Sequence, residues 1–249
     1  MLEQKVAEGL NTIWLEKVNN WLKELSWRSE LALVLLLGFG LFIYNSTRGL
    51  FIIASNSQQS LWFNLTSKGN YATVVYELIA FFLIAYILKI RGWTLKDFNL
   101  QLTVRLFYVA FLLMVLRNLI GGFSFKFFEL IQVTDEKTIQ QVQFSLKADW
   151  VSLALIVVIN SVFEEFLLVG YLFKRLEAYH PFLIIGCGIL IRMLFHSYQG
   201  TMMLFSIIPM GLVFGYYYYR YRKIWPLVIA HGMINILVFV NLYFQSLHR

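Results

Sequence analysis

Long apolar runs recur from Leu31 to the C-terminus of this 249-residue chain, and their length is the strongest constraint on what it can fold into. About 20 residues at roughly 1.5 Å each cover some ~30 Å of hydrocarbon. Water is absent there, so each run must satisfy its own backbone hydrogen bonds and is expected to be helical. The runs place spans near 31–46, 71–90, 106–123, 150–173, 181–198, 201–219 and 225–244. The stretch from Leu50 to Leu65 is also uncharged, but Asn56, Ser57, Gln58, Gln59 and Ser60 favour re-entry over a full crossing. Seven transmembrane helices are therefore expected, with eight as the alternative.

Composition agrees with an all-α, polytopic membrane bundle. The chain is 59% hydrophobic and 14% charged, where soluble domains average about 25% charged residues. No stretch is left for a separate soluble domain, so residues 31–249 are read as one transmembrane domain. Residues 1–30 differ, because Leu10, Ile13, Trp14, Val18, Trp21 and Leu22 recur at helical spacing with Lys and Glu between them. An amphipathic helix is expected, lying on the membrane surface or packed on the ends of the spans. The segment lacks the apolar core and small-residue cleavage site of a secretory signal, so the first apolar run is expected to stay in the mature protein.

The formal charge is +7. With the N-terminus taken as cytoplasmic, 13 basic residues fall in segments on that side and six on the other, leaving Arg117 and Arg192 inside spans. This asymmetry orients the chain with its N-terminus inside and explains the charge without nucleic acid as a partner. Cys187 is the single cysteine, which excludes an intrachain disulfide framework or a thiolate metal cluster. Abundant Ile, Phe, Asn, Lys and Tyr suit a bacterial cell membrane.

An ionisable group at mid-membrane costs roughly 2.5–3.5 kcal/mol on insertion scales, so each one within a span is a functional candidate. These groups are Glu77, Arg117, Glu164, Glu165, Arg192, His196 and His231, joined by the amides Asn160 and Asn235. Glu77 and Arg117 read as an interhelical clip. Glu164 and Glu165 point about 100° apart, so one can act while the other orients. Asn160 stands one turn before Glu164 on the same face and is placed to hydrogen-bond it. Arg192 and His196 share a face, as do His231 and Asn235. Three spans thus bring carboxylate, imidazole and amide into one apolar bundle, a set able to activate water and stabilise an oxyanion. His180 and His248 sit at span ends and read as solvated. Gly211 and Gly215 form a small-residue pattern that favours close helix packing.

Three segments carry a resemblance: EEFLLVG at Glu164–Gly170, RMLFHSYQG at Arg192–Gly200 and HGMIN at His231–Asn235. In order and spacing they resemble the CAAX-protease and bacteriocin-processing (CPBP, Abi) family of intramembrane endopeptidases. The resemblance covers about the last 100 residues and places a catalytic core at about 150–245. It implies that Glu164 is the general base, Glu165 its supporting partner, and His196, His231 and Asn235 the groups that hold the water and the oxyanion. It also implies two substrate classes, prenylated CaaX tails and bacterial leader, pheromone or bacteriocin peptides. Two departures stand out. Val169 occupies the place of the family's arginine, and Arg192 stands where a Phe is common. Arg192 is therefore expected to supply the missing positive charge to Glu165.

Zinc would need three or four ligands, and the intramembrane candidates are His196, His231 and Glu164. A zincin HExxH signature is absent, so a glutamate mechanism that requires no cofactor stands beside the zinc reading. The functional expectation is an intramembrane endopeptidase acting on a membrane-associated peptide or protein. The alternatives are a catalytically silent scaffold that regulates another membrane protein, suggested by Val169, and a proton-coupled transporter. Helical rise leaves one tension. His196 comes out some 8 to 13 Å deeper than Glu164 and His231 if its helix enters at Pro181.

Overall fold

A computed structural model of the chain describes residues 14–55, 61–102, 104–131, 142–200 and 202–247. Residues 1–13 of the expected amphipathic helix, the polar run 56–60 and His248 lie outside the described residues. Helix α1 covers residues 14–24 and breaks at Leu25–Ser26, after which α2 (Trp27–Ser55) begins. Strand β1 (Leu61–Thr66) leads into α3 (Ser67–Ile90), and α4 (Leu106–Leu130) follows. Strand β2 (Val142–Lys147) leads into α5 (Trp150–Arg175). Then come α6 (Pro181–Phe195), α7 (Met202–Tyr221) and α8 (Trp225–Leu247).

The seven apolar runs all form helices, with two corrections to their bounds. The first extends from Trp27 to Ser55, because no Pro interrupts it and Gly38 and Gly40 lie within its packed part. The residues after Ser55 include a strand rather than a re-entrant helix. The second correction is α6, a 15-residue helix that stops at Phe195 and is capped by His196. At about 1.5 Å per residue it reaches only ~22 Å, short of the hydrocarbon thickness. Among the described residues five helices, α2 to α5 and α8, are long and apolar enough to cross a membrane. Their outer faces carry large exposed apolar side chains such as Phe51, Phe82, Phe107, Phe123 and Phe244. Such a ring would be a liability in water and is the lipid-facing surface of a multi-pass membrane protein.

Helix α5 is the centre of the bundle. Every residue from Phe163 to Phe173 is buried, which is why that stretch is apolar all round apart from its two glutamates. Helices α3 and α8 pack against it, α6 packs on α2 and α7, and α4 closes the ring against α7 and α8. The α6–α7 contact is close because a Cβ at Gly211 would collide with Ile189, and one at Gly215 would lie 2.8 Å from Ile185 Cγ1. The expected small-residue seam is therefore a packing seam.

Strands β1 and β2 pair in parallel, from Leu61 opposite Val142 to Thr66 opposite Lys147. They start α3 and α5 side by side in the same direction. Thr66 caps α3 by accepting from the Gly69 N–H, and Asp149 caps α5 by accepting from the Ser152 N–H. Tyr71 donates to Asp149 and Asn70 to Ser152, fixing the two first turns against each other. Residues equally far along α3 and α5 therefore meet at equal depth. At the opposite end buried Glu30 accepts from Arg91, Arg175 and Tyr171, joining α2, α5 and the segment after α3.

Candidate active site

Glu164 and Glu165 end the regular part of α5, and a π-helical stretch, Phe166–Tyr171, follows at once. The wider turn leaves these two side chains buried toward different neighbours, as adjacent helical residues must be. Glu165 is fully buried. Arg192 Nη2 lies 2.6 Å from its Oε1 and 2.7 Å from its Oε2, and His231 Nδ1 lies 2.8 Å from Oε1. Arg192 Nη1 lies 3.4 Å from Glu164 Oε2, and the Asn160 amide donates to Glu164 Oε1 at 3.0 Å. Arg192 thus stands between both carboxylates from α6, beside Val169 in the wall of a cavity of about 10 Å³.

The depths explain why these residues meet. Helices α5 and α6 are joined by a short connection, so Glu165, ten residues before Arg175, faces Arg192, eleven residues after Pro181. His196 is one turn beyond Arg192 and makes no hydrogen bond to either glutamate among the described residues. This accounts for the depth mismatch read from the sequence, since Arg192 is the α6 residue that reaches the carboxylates. His196 is instead held in a turn. Its Nδ1 is 3.3 Å from Gln199 Nε2, and the next residues dock on α2 through Ser46, which contacts Ser197 Oγ and the Tyr198 N–H. Gly200 closes the turn at φ +62°, a conformation that L side chains rarely adopt. His196 remains within electrostatic reach of Arg192 and His231. Asn235 is half-buried one turn after His231, and its amide makes no hydrogen bond among the described residues. His180 is exposed.

Glu77 is a member of this cluster that the sequence reading assigned elsewhere. It was expected to pair with Arg117. In the structure Arg117 on α4 donates to Ser206 on α7 and to Asn118. Glu77 is fully buried, and its Oε1 accepts from Asn160 at 2.7 Å. Its Oε2 is buried with no hydrogen-bond partner among the described residues, a situation that costs about 1–3 kcal/mol for a polar group. The signal available in the sequence was position. Glu77 is the tenth residue after Ser67 and Asn160 the tenth after Trp150, so parallel helices with a common start bring them together.

Ligand atoms of Glu164, Glu165 and His231 lie within 4.8 Å of one another, the spacing of a metal-binding group. The donor chemistry does not fit a divalent ion. Both carboxylates already face the Arg192 guanidinium, Glu165 has both oxygens engaged, and His231 turns Nδ1 to Glu165. A dication among them would sit against a fixed positive charge within a few ångströms. His196, expected among possible ligands, is outside the group.

No curated protein and no solved structure matches the chain. Residues 146–237 do match the family described as type II CAAX prenyl endopeptidase Rce1-like. That segment runs from the end of β2 into α8 and carries Asn160, Glu164, Glu165, Arg192, His196, His231 and Asn235, while Glu77 lies outside it. Over these residues, with the polar cluster at their centre, the chain is similar to the Rce1-like family of CAAX-type endopeptidases.

Proposed function

We propose that the chain is an intramembrane endopeptidase in which Glu164 activates water without a metal. The supporting observation is the arrangement of Glu164. It is buried at mid-bundle with one oxygen on Asn160 and the other 3.4 Å from Arg192, which leaves lone pairs free for a water proton. Glu165 acts through His231. By accepting from Nδ1–H it fixes the tautomer that turns Nε2 away from the carboxylate pair. Nε2 then accepts from the water and positions it, and Glu164 passes the proton it took from that water to the leaving amine. Asn235 and His196 donate to the oxyanion, a role in which one good donor is worth about 10²–10³ in rate.

The substrate is a membrane-associated peptide or protein that arrives from the cytoplasmic side, with the N-terminus of the chain on that side. Bacterial leader, pheromone or bacteriocin-type peptides are the favoured class. An apolar cleft of 410 Å³ supports an apolar substrate segment. It runs between α3 and α5 from Trp93 and Thr94 to Phe81, Phe166 and Leu167, close to the glutamates.

Peptide mass spectrometry on cells carrying wild-type protein or Glu164→Gln at matched expression tests the reading. Gln keeps the shape and removes the base. A processed terminus that depends on the wild type, is lost with Glu164→Gln, and persists after chelator treatment of membranes supports it. Loss on the order of 10²–10⁴ is expected for a general base. Equal peptide profiles, with a deletion phenotype retained, would favour the scaffold. Inactivation by chelator would restore the zinc reading.

A further inference from the structure

We infer that Glu77, on a helix outside the family-matched segment, is a positioning residue for Glu164, acting through Asn160. The inference rests on the endopeptidase reading above and deepens it.

The Asn160 Nδ2 group has two N–H bonds. One goes to Glu164 Oε1 at 3.0 Å and the other to Glu77 Oε1 at 2.7 Å. A side-chain amide can present its oxygen or its nitrogen to a neighbour, and only the nitrogen suits a carboxylate. With Glu164 alone as partner, Asn160 could turn its oxygen inward while still packing on α5. With the accepting Oε1 of Glu77 on one side and that of Glu164 on the other, a flipped amide would face two acceptors with its own acceptor. Glu77 therefore locks the amide, and the locked amide holds Glu164 in the rotamer that leaves its second oxygen beside Arg192.

The fold fixes this contact independently of the motif residues. The β1–β2 pair starts α3 and α5 in register, and Glu77 and Asn160 each stand ten residues into their helix. At helical rise that is ~15 Å, about halfway across the hydrocarbon. Phe81, one turn on from Glu77, lines the apolar cleft. Glu77 makes no ion pair among the described residues, and Arg117 is bound to Ser206 instead. The arrangement is explained by what Glu77 does for Asn160.

The test is a set of variants in purified full-length protein reconstituted into liposomes, with kcat, KM and thermal stability measured on a peptide that wild type cleaves. Glu77→Leu fills the space without an acceptor and is expected to lower kcat about tenfold or more, with KM and melting temperature close to wild type. Glu77→Gln restores an acceptor oxygen and is expected to recover most of that loss. Asn160→Ala and the double variant Glu77→Leu/Asn160→Ala are expected to lose equal activity, because Glu77 has no route to Glu164 once the amide is gone. A purely structural role would instead lower the melting temperature of Glu77→Leu and leave kcat per folded molecule unchanged, which would overturn the inference. Additive losses in the double variant would also overturn it. If wild type cleaves no peptide, the endopeptidase reading falls first, and the positioning role falls with it.

Discussion

Arg192 Nη2 sits 2.6 and 2.7 Å from the two oxygens of Glu165, joining the short helix α6 to the central helix α5. One turn after Glu165, Val169 is buried in the wall shared with Arg192, so the cation facing Glu165 comes from α6 rather than from α5 itself. A cation on the neighbouring helix balances the buried carboxylate. It also makes the position of α6 a condition of the site.

Arg192→Met is expected to destabilise the protein by about 3–5 kcal/mol, because it leaves Glu165 buried without its cation. Activity should fall with it, since an unpaired Glu165 no longer holds His231 in one orientation. Adding Val169→Arg to Arg192→Met should recover part of both losses by returning the charge to α5. Thermal melts in detergent and cleavage assays on the two variants measure this. An Arg192→Met protein with wild-type stability and rate would refute the role given to the contact.

The α6–α7 seam predicts opposite outcomes for two glycines. Gly211→Leu must push against Ile189, and overpacking of this kind typically costs 1–3 kcal/mol. The displaced helix carries Arg192, so activity should drop by more than the loss of folded protein explains. Gly186 lies on the same helix as Ile189 with no atom near its missing Cβ, so Gly186→Ala should be neutral or slightly stabilising. Comparable losses for the two variants would show that the seam does not govern the site.

Much of this architecture was legible in the sequence because apolar length dictates helices in a bilayer. Glu164, Glu165, Arg192 and His231 stood out as candidates because each lies within an apolar run, where charge is costly. Asn160 against Glu164 followed from i, i+4 spacing. Three features did not. The strand pair depends on residues 81 apart, and neither six-residue segment has a pattern that requires a parallel partner. The early end of α6 is set by a turn docked on Ser46 of a distant helix. The partner of Glu77 depends on register between helices, so pairing intramembrane charges as an interhelical clip linked it to Arg117. Once the common start of α3 and α5 is known, Asn160 is the residue at its depth.

That common start should be sensitive to acid. Hydrogen bonds from Ser67 and from the Ser152 N–H, with a smaller contribution from the Tyr71 hydroxyl, hold the Asp149 carboxyl down at about 2, against an ordinary value of 3.8. Because the folded-state value is the lower one, the stabilisation by ionised Asp149 is complete above pH 3.8. It is lost as the pH falls from there through about 2. Asn caps a helix about as well as Asp but does not titrate in this range. Asp149→Asn should therefore melt close to wild type at neutral pH and show a shallower decline in melting temperature between pH 3.8 and about 2. Asp149→Ala removes the cap and should melt lower throughout. If Asp149→Asn declines with acid as steeply as wild type, the acid sensitivity lies elsewhere in the protein. In that case the cap at the head of α5 is held by Ser67 and Tyr71 regardless of its charge.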